Sequence, residues 1–422
     1  MKKLIFGYGA TGKSVETYFK KNNIEYLIYD DDKEIEIPKN QKFKDTKFDE
    51  IDEIIISPGI KPTHPLLLKI KSKKINVITD IDIYSRDRIY DTPIIGVTGT
   101  NGKTTFVELL SNFLNSQSLK SLAVGNIGDS PLNYIDEKFD YIVMELSSFQ
   151  LYYIKNLSLE VGIVLNIEED HLDWHENVQE YIESKKKIFQ FAKSNIATGR
   201  LPNYLSMNEG LAQEQYNKPK FPKEFSFKSM RSKFYDDFLD AFFILVPQLN
   251  LSVTKAYDYL KNTKSLEHRF ETVDIINGVR YINDSKSTNF HSVSEASKKV
   301  KNGLLVMHGL TKEMSVSNLN ISSENIGLVL VPKNMKIDLS RFDSFEIKYY
   351  ESIFDLESEI LKCLELWKKS KIRTAQHRGK NKNMCETVLF SCGGSSFNDF
   401  KNYEERGNFF KSVVSNIKDR NA

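Results

Sequence analysis

Residues Ile94-Ile95-Gly96-Val97-Thr98-Gly99-Thr100-Asn101-Gly102-Lys103-Thr104-Thr105 constrain the fold more tightly than any other segment. An apolar run, read as a buried strand, ends in a loop of small residues. The loop closes on Lys103 and opens an apolar, helix-like stretch from Phe106 to Leu114. Strand, small-residue turn and helix in this order form a cradle for nucleotide phosphates. Loop and helix N–H groups face the anion, the Lys places a point charge on the β/γ oxygens, and the first Thr offers a hydroxyl to Mg²⁺. Gly99, Thr100, Asn101, Gly102, Lys103, Thr104 and Thr105 are therefore expected to bind ATP. The general pattern places Gly where this chain has Val97, with Gly96 and Gly99 the nearest glycines. A glycine-rich strand–helix turn is the competing reading.

The rest of the chain is long enough to surround such a unit with others. Its 422 residues accommodate roughly three domains. With 59 basic and 57 acidic residues the net charge is +2, which argues against nucleic acid or an anionic membrane as a bulk partner. Three cysteines, Cys363, Cys385 and Cys392, have neither metal-type spacing nor an even count. They predict a reducing compartment without a disulfide framework. No stretch reads as a signal peptide or a membrane span, so a cytoplasmic protein is expected.

Strands and helical patterns alternate throughout, predicting an α/β chain of three domains. Residues 1–90 read as an N-terminal Rossmann-like domain, with strands at Leu4–Phe6, Tyr26–Tyr29 and Ile54–Ile56. Residues 91–264 read as a central P-loop ATPase-like domain, with strands at Tyr141–Met144 and Val161–Leu165. Residues 265–422 read as a C-terminal Rossmann-like domain, with strands at Gly303–Val306, Ile326–Val331 and Thr387–Phe390 and a last helix over Phe400–Ile417. The segment Ile196–Asn250 is the least legible.

Gly7-Tyr8-Gly9-Ala10-Thr11-Gly12 follows the first strand, and Asp30 follows the second. Alone this is a dinucleotide fingerprint and points to a nicotinamide dehydrogenase. A second phosphate cradle at Gly99 fits an enzyme that holds ATP and another nucleotide-linked substrate. A tight turn that binds nothing is the third reading.

Two further groups follow strands of the central domain, where ligands of parallel sheets bind. Glu145 is placed to reach the metal of the phosphate loop. Asn166-Ile167-Glu168-Glu169-Asp170-His171-Leu172-Asp173 is dense in metal-type ligands, with His171 the candidate imidazole ligand of a divalent ion. Lys185, within Lys185-Lys186-Lys187, reads from its residues as part of a solvated helix face.

The wording Thr-Gly-Thr-Asn-Gly-Lys-Thr-Thr resembles the phosphate loop of the Mur ligase family. These are ATP-dependent amide-forming enzymes of peptidoglycan precursor synthesis, together with their folate-polyglutamylating relatives. Further blocks carry the same resemblance, in order along the chain. They are Gly125-Asn126-Ile127-Gly128, Tyr181 to Phe189, Leu266-Glu267-His268-Arg269-Phe270-Glu271, Asn283-Asp284-Ser285-Lys286-Ser287-Thr288-Asn289, and Ser391 to Asn408.

The resemblance implies that Ala10, Thr11, Asp30 and Ser57 contact a uridine nucleotide and that Asn126 and Ser147 contact the rest of that substrate. It implies that Lys103, Glu145, His171 and Lys185 are catalytic, with Lys185 carbamylated. Two Mg²⁺ ions would be held by Thr104, Glu145, His171 and carbamylated Lys185. Arg269 and Asp284 would join the ATP site. The Asp-Ser-Lys-(small)-Thr-Asn wording resembles the D-glutamate-adding branch. On that resemblance Lys286, Thr288, Lys312, Ser396, the N–H of Phe397 and Tyr403 would receive D-glutamate, although Ser396 also reads as a helix N-cap. The implied partners are UDP-N-acetylmuramoyl-L-alanine and D-glutamate, on a monomer.

Three departures stand out. The family's Gly-x-His-Asn segment, which helps hold adenine, is not evident around Ser232–Asp237. His308-Gly309-Leu310 lacks the usual acid. Cys392 and Gly394 stand where the last motif carries Pro and Cys. A sister ligase for another amino acid, a dehydrogenase and a non-catalytic nucleotide-binding regulator are the rival functions.

Overall fold

The structure, a computed structural model, describes residues 2–73, 75–168, 170–172, 174–198, 230, 234, 236–263, 267–310, 319–335, 346–369 and 385–421. One compact unit holds the described residues from Lys2 to Leu260 except Met230, and a second holds those from Lys261 onward.

The first unit contains two parallel sheets. In one, β1 (Lys2–Phe6), β2 (Tyr26–Tyr29), β3 (Ile51–Ile56) and β4 (Asn76–Ile78) pair in the order β2-β1-β3-β4. In the other, β5 (Ile94–Thr98), β6 (Ser121–Gly125), β7 (Tyr141–Glu145), β8 (Leu159–Val164) and β9 (Ala192–Ala197) pair in the order β6-β7-β5-β8-β9. β5 is central and buried at every residue, as its unbroken apolar sequence requires.

One hydrophobic core runs from the first sheet (Ile5, Ile28, Ile55) through Ile81 and Tyr84 into the second (Ile142, Met144) and the helical Ile182. Polar links add to it. The carboxylate of Asp82 accepts the N–H groups of Lys155 and Asn156 at 2.8 and 2.7 Å, and its other oxygen caps the helix Asp80–Asp87 through Thr79. Tyr153 donates its hydroxyl to Ile60 O at 2.8 Å.

The second unit carries one six-stranded sheet of β10 (Glu271–Ile276), β11 (Val279–Asp284), β12 (Gly303–His308), β13 (Ile326–Pro332), β14 (Glu346–Tyr350) and β15 (Thr387–Gly393). Their order is β10-β11-β15-β12-β13-β14. Only β10 is antiparallel, joined to β11 through a turn at Asn277 and Gly278. The sheet is thus parallel but for one antiparallel edge strand. Helices cover both faces, burying Trp367, Phe410 and Val414 on one side and Phe290 and Val293 on the other.

The last helix spans Tyr403–Arg420, later than the expected Phe400–Ile417, and its N-cap is Asn402, whose side chain accepts from Glu405 N. Ser396 is therefore not a helix cap. It lies seven residues before the helix, where its carbonyl accepts the turn N–H groups of Asp399 and Phe400. Asp236–Gln248 forms a helix in the stretch that sequence left illegible.

Candidate active site

Gly102 is the N-cap of the helix Lys103–Ser116, with φ +83°. A side chain would be strained there, so the glycine lets the chain turn from loop to helix and bring Lys103 over the loop. Lys103 Nζ donates to Gly99 O at 2.8 Å and to Thr100 O at 3.1 Å, folding the ammonium back onto the loop.

The loop is tied to the end of β8. Asn166 accepts Asn101 N on Oδ1 at 2.8 Å and donates Nδ2 to Asn101 O at 3.1 Å, while its own carbonyl accepts Thr100 N at 2.9 Å. Nδ2 also meets Asp237 Oδ2. Thr100 Oγ1 lies 2.7 Å from the buried hydroxyl of Tyr181 and accepts Glu168 N at 2.9 Å. Thr104 and Thr105 are half-buried in the first turn of the helix. The sequence reading missed Asn166 as the clamp of the loop. It stands in the same dense segment as His171, but amides were not weighed there.

Lys185 is the second lysine of the site. Of the three consecutive lysines only this one is buried, at 2% exposure. Lys186 pairs with Glu183 on the surface, and Lys187 caps the carbonyls of Tyr152 and Ile154. Lys185 Nζ donates to Gly99 O at 2.8 Å. Burial, and then the charge of Lys103, hold its pKa well below the usual lysine value, while Asp170 and Glu145 act the other way. The solvated-face reading of Lys185 does not hold.

Glu145 ends β7 and is 2% exposed. Asn126 donates Nδ2 to its Oε1 at 3.0 Å and backbone N to its carbonyl at 2.9 Å. Oε2 is buried and has no hydrogen-bond partner. A desolvated carboxylate oxygen left open in this way fits a cation.

His171 has φ +56°, and its ring packs edge-on against Phe149 at 4.8 Å, 3.7 Å from Asp170 Oδ2. His175, not foreseen from sequence, is buried beside it, with Nε2 3.0 Å from Ser148 Oγ. Among the described residues no three His, Cys, Asp or Glu side chains group as a metal cluster. Ser147 has its hydroxyl engaged in the capping box of the helix Ser148–Tyr153.

The first glycine motif brings Asp30 and Ser57 together at the strand ends. Asp30 Oδ2 accepts Tyr8 N at 2.5 Å, and Ser57 Oγ donates to Gly7 O at 2.9 Å. Ala10 is exposed and Thr11 half-buried in the helix that follows.

In the second unit, His268 and Phe270 both have positive φ, +61° and +47°, on either side of Arg269. Such conformations cost energy and persist where the surroundings impose them. Here Lys286 N donates to His268 O at 3.1 Å and Phe270 N to Asp284 Oδ1 at 3.0 Å. Arg269 Nη2 is buried without a partner. Asp284 is engaged from within the unit, also accepting Ser391 Oγ at 2.8 Å and the Ser287 hydroxyl. Burial pushes its carboxyl up.

Lys286 Nζ sits 3.8 Å over the ring of Tyr403. Thr288 is half-buried, Ser396 is buried, and Phe397 is 73% exposed. Lys312, Glu169 and Asp173 lie outside the described residues.

Known proteins resemble this chain over nearly its whole length. The model of the Mur ligase middle domain matches residues 97–237, and that of the Mur ligase MurD-like N-terminal domain matches residues 1–79. A UDP-N-acetylmuramoylalanine--D-glutamate ligase of Francisella philomiragia is 30% identical over 450 residues, covering 99% of this chain and 97% of that protein. The ligase of the same name from Buchnera aphidicola subsp. Schizaphis graminum is 32% identical over 452 residues, covering 98% of each.

Among solved structures, the UDP-N-acetylmuramate-alanine ligase MurC of Thermotoga maritima superposes with a TM-score of 0.54 at 15% identity, covering 99% of this chain and 100% of that one. A pseudomurein peptide ligase type C from Methanothermus fervidus gives 0.53 at 18% identity, covering 99% and 100%. At those identities the likeness concerns the fold. With relatives at this level over nearly its whole length, the chain belongs to the Mur ligase family.

Proposed function

We propose that this chain joins D-glutamate to UDP-N-acetylmuramoyl-L-alanine by ATP-dependent amide formation in peptidoglycan precursor synthesis, as a monomeric cytoplasmic enzyme. The observation that carries this reading is the convergence of Lys103 and Lys185 on Gly99 O, beside the open oxygen of Glu145. The names of the full-length relatives favour the substrates, and the Asp284–Asn289 wording favours the amino acid. Residues 1–90 would take the uridine nucleotide through Ala10, Thr11, Asp30 and Ser57. Residues 91–264 would take ATP, and residues 265–422 the amino acid through Lys286, Thr288, Lys312, Ser396, Phe397 and Tyr403.

The alanyl carboxylate attacks the γ-phosphate and expels ADP, and the amine of D-glutamate then displaces phosphate from the acyl phosphate, giving up a proton to solvent. Lys103, released from its loop carbonyls, neutralises the β/γ oxygens, and the loop N–H groups orient them. Arg269, with one unpartnered buried nitrogen, is chemically suited to a phosphate oxygen. Thr104 and Glu145 would hold one Mg²⁺. Lys185, a buried amine whose lowered pKa favours the neutral form that carbamylation needs, would with His171 hold the second. A divalent ion held by these residues would offset negative charge that builds up during phosphoryl transfer.

The test is phosphate release from ATP with UDP-N-acetylmuramoyl-L-alanine, with D-glutamate, L-glutamate, L-lysine or meso-diaminopimelate as acceptor. Release requiring D-glutamate and lost in Lys103→Ala is the expected result. Release with another acceptor overturns the choice of amino acid, and none with any acceptor overturns the ligase reading.

A further inference from the structure

Arg406 is fully buried, at 0% exposure, in the helix Tyr403–Arg420. Its Nε donates to Ser285 Oγ at 3.0 Å and its Nη2 to Ser285 O at 2.7 Å. Its Nη1 donates to Gly394 O at 2.9 Å and to His308 O at 3.3 Å. Ser285 follows β11, Gly394 follows β15 and His308 ends β12, and these three strands are neighbours. One rigid fork therefore fixes three chain segments at the C-terminal edge of the sheet, where ligands of such sheets bind.

The charge itself has no direct counter-ion among the described residues. Arg406 makes no ion pair there, and its acceptors are carbonyls, a hydroxyl and an imidazole. His308 Nδ1 lies 3.4 Å from Nη1 and must accept, since a guanidinium only donates. The ring proton then sits on Nε2, which donates to Asp399 Oδ2 at 3.0 Å. Burial, and then the charge of Arg406, push His308 down to about 4. The imidazole is neutral at physiological pH and stands between Arg406 and the carboxylate. A buried charge without a direct counter-ion is costly and calls for a reason. The segments it ties continue into Lys286, Thr288 and Ser396, and its own helix opens with Tyr403.

We propose that Arg406 is a positioning residue of the amino-acid site, locking these three segments and supplying a fixed positive charge whose counter-ion is the second carboxylate of a dicarboxylic acceptor. The inference rests on the acceptor site proposed above. Arg406 acts through the segments it holds and through its field, because its donors already face protein acceptors.

The test compares Arg406→Lys and Arg406→Gln in the full chain, using D-glutamate and its neutral amide D-glutamine as acceptors. KM for ATP and Tm are read alongside. In Arg406→Gln the preference for the acid, as a ratio of kcat/KM, falls at least tenfold, with KM for ATP within twofold. In Arg406→Lys that preference holds within threefold while KM for D-glutamate rises at least fivefold.

An equal loss on both acceptors, with the ratio intact, would make Arg406 a brace only and overturn the proposal. If Arg406→Gln does not fold, Arg406→Lys decides, and an unchanged KM for D-glutamate overturns it. A wild-type enzyme that works on D-glutamate while its variants keep the ratio sinks this inference alone. One that takes a different dicarboxylate sinks only the choice of substrate, and the comparison is run on that acid and its amide. One that takes neutral acceptors, or none, sinks both.

Discussion

Lys103 and Lys185 donate to the same atom, the carbonyl oxygen of Gly99, each at 2.8 Å. Two ammonium groups sharing one acceptor repel, and the buried partner yields, which is why Lys103 ranks second only to burial among the causes that lower the pKa of Lys185. The phosphate loop thus carries a built-in tension that a change at either lysine releases.

That tension has a pH signature. Between its lowered folded pKa and the ordinary value of 10.5, Lys185 is protonated in the unfolded chain and neutral in the folded one. The unfolded state binds more protons, so stability rises with pH across that window. Lys185→Met, in CO₂-free buffer, is expected to be more stable than wild type. The gap should grow as pH falls from 10.5 and level off below the folded pKa. Denaturant unfolding at a series of pH values checks this, and a gap independent of pH contradicts it.

Glu145→Gln keeps the bond from Asn126 and removes the charge from a buried oxygen that has no partner. Activity should fall about a hundredfold or more. The Mg²⁺ concentration for half-maximal rate should rise, and stability should stay within about 1 kcal/mol. An unchanged Mg²⁺ requirement would remove Glu145 from the metal site.

Asn166→Ala leaves both backbone groups of Asn101 without their side-chain partner. A cost of about 1–3 kcal/mol is expected, with KM for ATP rising more than KM for the uridine substrate. Asn166→Asp should not rescue, because it cannot donate to Asn101 O and it faces Asp237. Parallel changes in both KM values would argue against a clamp on the loop.

Gly407→Ala would place a Cβ 2.1 Å from His268 Nδ1. The clash should cost about 1–3 kcal/mol and disturb Arg269 between its two left-handed neighbours. Adding His268→Ala should return much of the lost Tm but not ATP affinity. A double-mutant cycle reads the coupling directly.

Local patterns carried much of the fold. Tyr26–Tyr29 was legible as a strand to the residue, and the phosphate loop announced its strand and helix. β10 and β14 were not, because their edge positions leave them partly exposed and without a continuous apolar run. Among the site residues, composition could not separate Lys185 from Lys186 and Lys187; only packing against the loop does. Arg406 escaped for a related reason, since its partner Ser285 is 121 positions away and nothing local marks either residue.

The contacts of Asp82 and a core that does not break between them hold the first glycine motif and the phosphate loop within one compact unit. On the function proposed above, the span from one to the other would then be a ruler built into the protein. A donor whose sugar and acyl arm differ in reach would anchor normally at its uridine end and present its carboxylate at the wrong distance, so substrate length would be measured before any chemistry begins.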